Sequence, residues 1–275
     1  YGLYMDLTAA TNRIVGNTIY SNGTAGVYMS GVAVDGNRVI SNVVRGPGQG
    51  YGVWINAGDR NVITNNPVIA QHSLYGIYLE FDAASNVMAG NAVYSNATFG
   101  IRLNGADADA NRIVSNTIAG PGQPTGVHIL AGDANLVLGN TIRGPPSHGV
   151  YMNVDAATNA VIGNSILSNA GYGVWLDGAA ADANRIVANS IGANGSGVFI
   201  QFGDANSITN NAISGNSQSG VEIGSGAASN VVRANTIRSN ALSGIDVYLA
   251  GADANQFVAN AIEGLGTQDV GIHEG

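Results

Sequence analysis

Apolar residues recur along this chain in a fixed order. Each unit opens with a glycine followed by Leu, Val or Ile. These glycines are Gly2, Gly26, Gly52, Gly76, Gly100, Gly126, Gly149, Gly173, Gly197, Gly220, Gly244 and Gly271, at intervals of 23 to 27 residues. Two positions past the first aliphatic stands a second, as in Met5, Met29, Ile55, Leu79 and Leu103, until Glu274 breaks the rule. The residue between them varies widely. This period-2 alternation predicts a half-buried strand. The second half of each unit reads Asn-x-aliphatic-x-x-Asn-x-aliphatic, as in Asn12 to Ile19 and Asn111 to Ile118. Segments this short do not sustain helices, and Gly and Asn suit sharp bends. Three short strands and three turns per unit describe one coil of a parallel β-helix. The chain is therefore expected to be an all-β solenoid of about eleven coils, roughly 50 Å long at about 4.8 Å per coil. Asn at matching positions predicts side-chain amide ladders along the turns. Helical repeats and leucine-rich repeats have other patterns, which are absent here.

A longer period overlies the first. Coils one, four, seven and ten carry Ala-Ala-Thr/Ser-Asn before the second strand (Ala9, Ala83, Ala156, Ala227). Coils two, five, eight and eleven carry Asp-x-Asn after a longer lead (Asp35, Asp109, Asp182, Asp253). Coils three, six and nine carry a shorter Gly-Asp-x-Asn (Asp59, Asp133, Asp204). This is a three-coil super-repeat, and with no linker or composition shift it predicts one domain over residues 1–275. Both ends fall inside a coil without the polar cap that a solenoid edge needs. The expectation is a fragment of a longer protein, with end-to-end or side-by-side self-association through open edges as the alternative.

Composition narrows the partners. The chain has 275 residues, 40 Gly, 33 Asn and no Cys, and its ten basic residues are all Arg. Net charge −8 argues against nucleic acid, which requires basic patches. It also disfavours anionic membrane surfaces, and no apolar run reaches the length of a membrane span. The absence of Cys removes disulfides and thiolate chemistry. A hydrophobic content of 45% argues against disorder despite the Gly and Asn.

The repeat grammar resembles the right-handed parallel β-helix superfamily over the whole chain. That superfamily includes pectate lyases, polygalacturonases, mannuronan C5-epimerases, phage tailspikes and NosD-like periplasmic proteins. The resemblance implies a right-handed helix and an extracellular or periplasmic, exported protein. It is unspecific for activity. Tyr51-Gly52-Val53, Tyr75-Gly76-Ile77 and Tyr172-Gly173-Val174 resemble the start of the epimerase signature, but its Asp-Pro-His-Glu does not follow. Ser147-His148-Gly149 matches only part of the polygalacturonase Gly-His-Gly, and that family's paired Asp is missing.

The third residue of each coil is expected to face solvent. It reads Tyr4, Tyr28, Trp54, Tyr78, Arg102, His128, Tyr151, Trp175, Phe199, Glu222, Asp246 and His273. The fifth, on the same side, includes Asp6, Asn56, Glu80, Asn104, Leu130, Asn153, Asp177 and Gln201. A strip of rings beside acids and amides suits a polysaccharide lying along the axis. The expected substrate-binding residues are Trp54, Tyr78, Asn104, Asn153, Trp175 and Asp177. The expected catalytic residues are Arg102, His128, Tyr151 and Glu80. In lyases and epimerases of the superfamily an Arg neutralises a uronate carboxylate while His or Tyr moves the C5 proton. A hydrolase is less favoured: Glu80 and Asp177 lie roughly 19 Å apart, leaving Glu80 with Asp82. The rivals are a partner interface, plain stabilisation by stacked rings, and a non-catalytic rod such as a stalk, adhesin or surface-layer segment.

Three further features carry weaker expectations. The seven Asp-x-Asn acids are expected to cap turns through their own backbone, with Ca²⁺ as the alternative ligand. The four His show no metal spacing, and His72 and His148 are placed in turns. Sequons at Asn22, Asn96 and Asn194 fall in a recurrent Asn column, which favours chance. Loops Arg45 to Gly50, Ala119 to Thr125 and Arg143 to His148 are expected to wall a groove beside the aromatic face, or to be tolerated insertions.

Overall fold

The computed structural model describes residues 1–248, 251–264 and, as backbone, 268–273. The first coil consists of β1 (Leu3–Asp6), β2 (Arg13–Val15) and β3 (Thr18–Tyr20), and β4 (Ala25–Ser30) opens the second. Every strand pairs in parallel with its counterpart one coil on. The result is three sheets of twelve, eleven and eleven strands, with no helix among the described residues. Inward aliphatics such as Ile63, Ile69, Ile77 and Leu79 are fully buried and stack into one continuous core. The expected β-helix is the observed fold.

The corners explain the Asn and Gly. At the first two corners of each coil a residue with positive φ stands directly before an Asn, as at Thr11 (58°), Ala134 (54°) and Ala188 (55°). A non-glycine residue in this region costs about 1–2 kcal/mol. Asparagine ladders offset that cost. The Asn42 backbone N–H and Nδ2 donate to Asn66 Oδ1 (2.8 and 3.2 Å), and Nδ2 also donates to the Ile14 carbonyl (2.8 Å). Two such ladders run from Asn12 and Asn17 through every coil. A third, at the corner leading back to the first sheet, holds Asn22, Gln49, His72, Asn96 and Gln123, then resumes at Asn169. Only Asn56, Asn65, Asn104, Asn153 and Asn210 stand outside the ladders.

Several expectations need correction. The Asp-x-Asn acids do not cap their own turns. Asp35 Oδ1 accepts from the Asp59 N–H, and Asp59 Oδ1 accepts from the Ala84 N–H, both at 2.9 Å; Asp109, Asp133, Asp182 and Asp204 bond in the same way, so these six acids tie their coils to the next. The loops at Arg45–Gly50 and Ala119–Thr125 do not wall a groove: they feed Gln49 and Gln123, both fully buried, into the third ladder. The third loop borders a depression of about 410 Å³ lined by Pro145, Pro146 and Gly195, at the corner and not on the aromatic face. Of the sequon asparagines, Asn96 and Asn194 are buried ladder members and closed to modification. The last coil is shifted. Asp246 pairs with Gly271 and Tyr248 with His273, so His273 is not the third-position residue of its coil. Its side chain and Glu274 lie outside the described residues.

Candidate functional site

The outer face of the first sheet is built as the alternation predicts. Tyr28, Trp54, Tyr78, Arg102, His128, Tyr151 and Trp175 are register partners in successive coils. A second column, missed in the sequence, stands beside them. It holds Tyr51, Tyr75, Phe99, His148 and Tyr172, each directly before its marker glycine. Strict alternation from the first aliphatic would turn this residue inward. The chain instead bends at the glycine, whose own Cβ position faces the interior. A Cβ on Gly76 would lie 2.6 Å from the Gly100 carbonyl and 2.6 Å from Val93 Cγ1. His148 therefore belongs to the strand His148–Met152 and not to a turn, whereas His72 is a turn residue as expected.

The third-position column does not simply face solvent. His128 is 4% exposed, Tyr78 5% and Phe199 6%, because the two columns interleave. Ring faces are turned toward one another along the solenoid axis. His128 stacks on Tyr151 at 4.9 Å and 9°, and Tyr151 on Trp175 at 4.6 Å and 22°. The strip thus presents ring edges and polar tips outward, and its faces are used in the ladder.

Fifth-position residues tie down those tips. The Trp54 Nε1 donates to Glu80 Oε2 (3.2 Å), Asn104 Nδ2 to the Tyr78 hydroxyl (2.8 Å), and the Tyr151 hydroxyl to Asp177 Oδ2 (2.7 Å). His128 Nε2 lies 3.0 Å from Asn153 Oδ1. Its Nδ1 is buried without a partner, as are Arg102 Nε and Trp175 Nε1. Burial, and then the charge of Arg102, pushes the His128 imidazole down to about 4, so it is neutral near pH 7. Burial pushes the Tyr151 phenol up, reinforced by its bond to Asp177.

Arg102 differs from its neighbours. Its guanidinium lies over the rings of Phe99 (5.2 Å), Tyr75 (5.3 Å) and Tyr78 (6.0 Å). Nη1 donates to the Tyr75 hydroxyl (2.7 Å) and Nη2 to Asn104 Oδ1 (2.9 Å). Among the described residues the ion pair is Arg60–Asp35, so Arg102 has no carboxylate partner. Of the four expected catalytic residues, Arg102, His128 and Tyr151 occupy three consecutive coils. Glu80 stands one coil earlier in the neighbouring column, bonded to Trp54.

Two acids toward the end of the strip form a separate group. Glu222 and Asp246 are register partners, and Glu222 accepts from the Ser196 and Tyr248 hydroxyls. Burial raises the Glu222 carboxyl above its usual range. No three His, Asp or Glu side chains converge to hold a metal among the described residues.

A three-sheet solenoid with one outward ladder of rings and polar tips defines a β-helix of the single-stranded, parallel kind. The chain belongs to the right-handed β-helix family, whose model, described as a right handed beta helix region, matches residues 1–153 and 125–273. No curated protein matches it. Among solved structures it is similar to the Azotobacter vinelandii mannuronan C-5 epimerase AlgE6 A-module (16% identity, 96% of this chain and 76% of that one, TM-score 0.65). The periplasmic alginate epimerase AlgG matches at 15% identity over 90% of this chain and 72% of that one, TM-score 0.62. The Dettilon tailspike protein matches at 16% over 93% and 61%, TM-score 0.61. Identities this low carry the fold alone.

Proposed function

We propose that this chain is an exported polysaccharide-binding β-helix whose contact surface is the outer face of the first sheet, and that its ligand is an acidic glycan. Arg102 carries the reading. A guanidinium held half-buried among three rings, without a carboxylate, is oriented to receive an anionic group. Half-exposed Trp54, Glu80, Asn104, Tyr151, Asn153, Trp175 and Asp177 flank it with polar tips for sugar hydroxyls. The alginate epimerases among the similar structures agree with an acidic glycan and a periplasmic or extracellular setting. The test is binding to alginate, polygalacturonate and neutral glycans. Arg102→Ala should lose about tenfold in affinity for the acidic polymers and little for neutral ones. Absence of binding to every polymer sinks the proposal and leaves the non-catalytic rod.

A second reading adds catalysis. Arg102, His128 and Tyr151 in consecutive coils suit lyase or epimerase chemistry, with Arg102 on the uronate carboxylate and His128 or Tyr151 moving the C5 proton. The bonds that tie Tyr151 to Asp177 and Glu80 to Trp54 must open for it. Appearance of the unsaturated-uronate absorbance, abolished by His128→Asn, supports a lyase. Unchanged absorbance and unchanged uronate composition leave binding alone.

A further inference from the structure

The turn between the first and second sheets carries features that the aromatic face does not use. Its length follows the three-coil period: five residues in coil one (Leu7–Thr11), six in coil two (Gly31–Gly36), four in coil three (Ala57–Arg60), then five again from Phe81. The residue that opens the five-residue turns is large and apolar in coils one, four and seven. These are Leu7, Phe81 and Val154, all with positive φ (59°, 51° and 55°). Leu7 is 76% exposed, Phe81 54% and Val154 47%; Val32 in the intervening turn is 74% exposed. In coils five and eight the matching position is Gly105 or Gly178, where a Cβ would overlap the carbonyl oxygen of Phe81 or Val154. The apolar side chains thus stand at three-coil intervals, about 14 Å apart, and point out of the rim.

The same turn is acidic. It holds ten of the chain's 18 acidic residues and one cation, Arg60, which pairs with Asp35 at 2.7 Å. Asp82 and Asp155 directly follow Phe81 and Val154, and Asp107 lies in the turn of coil five; all three are exposed and make no side-chain hydrogen bond among the described residues. Arg13, Arg38, Arg112 and Arg185 stand on the neighbouring second sheet, and among the described residues none of them reaches a carboxylate within ion-pair distance.

We propose that this rim is a docking surface for a cationic polypeptide that also carries apolar side chains. Charge complementarity sets the sign of the partner. A second copy, itself at net −8, would bring acidic turns against acidic turns. A chelated cation is disfavoured because no three ligands converge among the described residues, and one oxygen of each Asp-x-Asn acid except Asp253 is already bonded to backbone. Leu7, Val32, Phe81 and Val154 call for apolar side chains on the partner, which a polycationic sugar lacks.

The experiment titrates the whole chain into a labelled peptide of alternating Arg and Leu, with an alternating Glu–Leu peptide as control, and follows fluorescence anisotropy. Saturable binding of the Arg–Leu peptide alone is expected. The combined Asp82→Asn, Asp107→Asn and Asp155→Asn variant should weaken it by about tenfold, and so should raising salt to about 0.5 M. Phe81→Ser should weaken it about threefold, with the β-sheet circular dichroism signal unchanged as the folding control. Binding indifferent to Phe81→Ser would reduce the rim to a nonspecific charged seam and overturn the proposal. So would saturable Ca²⁺ binding lost in the triple variant, or a sedimenting dimer that Phe81→Ser dissociates.

Discussion

At the level of the residue, the marker glycines are explained by what their missing Cβ would strike. At Gly76 that atom would meet a backbone carbonyl, a core valine and the Asn96 amide, all within 2.7 Å. Gly16 sits at a corner with φ +68° and open space around it. The two predict different outcomes for one substitution. Gly16→Ala should cost about 1 kcal/mol through backbone strain alone. Gly76→Ala should cost at least about 3 kcal/mol, since backbone cannot swing aside as a side-chain tip can. Urea unfolding of both variants checks this, and near-equal losses would show that the coil corner relaxes. The glycine itself was legible from its spacing, but its direction was not. Alternation counts positions and does not register a bend, so it does not show that Tyr75, which holds the Arg102 guanidinium, shares the outer face.

Among elements, the ladders decide how well neighbouring coils are joined. The first two are written in the sequence as Asn at fixed spacing. The third is legible only in part, as the recurrent column that holds Asn22, Asn96 and Asn194, because Gln49, His72 and Gln123 replace Asn in it and the loops before the glutamines vary in length. It is broken once. In coil six its position is taken by Pro145, after Gly144 at φ +78°. Proline has neither an N–H nor a side-chain amide to offer. Gln123 Nε2 in the coil before and Asn169 Oδ1 in the coil after are accordingly buried without partners. One lacks an acceptor and the other a donor, which an asparagine between them would supply. Pro145→Asn is therefore expected to stabilise the chain by about 1–2 kcal/mol, net of the entropy that proline removes from the unfolded chain. A rise in thermal midpoint is the readout. A fall would mean that the Pro145–Pro146 turn holds the corner more firmly than the two amide bonds would.

For the whole molecule, the fold was legible because a solenoid repeats one local rule, whereas the site depends on contacts between coils that no single repeat contains. Trp54 reaching Glu80 and His128 reaching Asn153 both cross a coil boundary, and sequence spacing places such residues on one face without saying which are already bonded. The buried histidines extend this point to the response of the whole chain to acid. Burial pushes His72, His128 and His148 each down to about 4, while the same side chains in the unfolded chain titrate near 6.5. Between those values the unfolded chain binds protons that the folded one refuses. Stability is then full above about pH 6.5 and falls as pH drops toward 4, by up to about 1.4 kcal/mol per pH unit for each histidine. Glu222 acts in the opposite sense, since its carboxyl is raised by burial, but it is one group against three. His72→Gln isolates one of the three, because Gln49 and Gln123 already occupy equivalent ladder positions. That variant should match the parent in urea midpoint near pH 7 and exceed it increasingly from pH 6 to 4.5. Parallel curves over that range would show that His72 accepts its proton within the fold, and that the third ladder tolerates a charge.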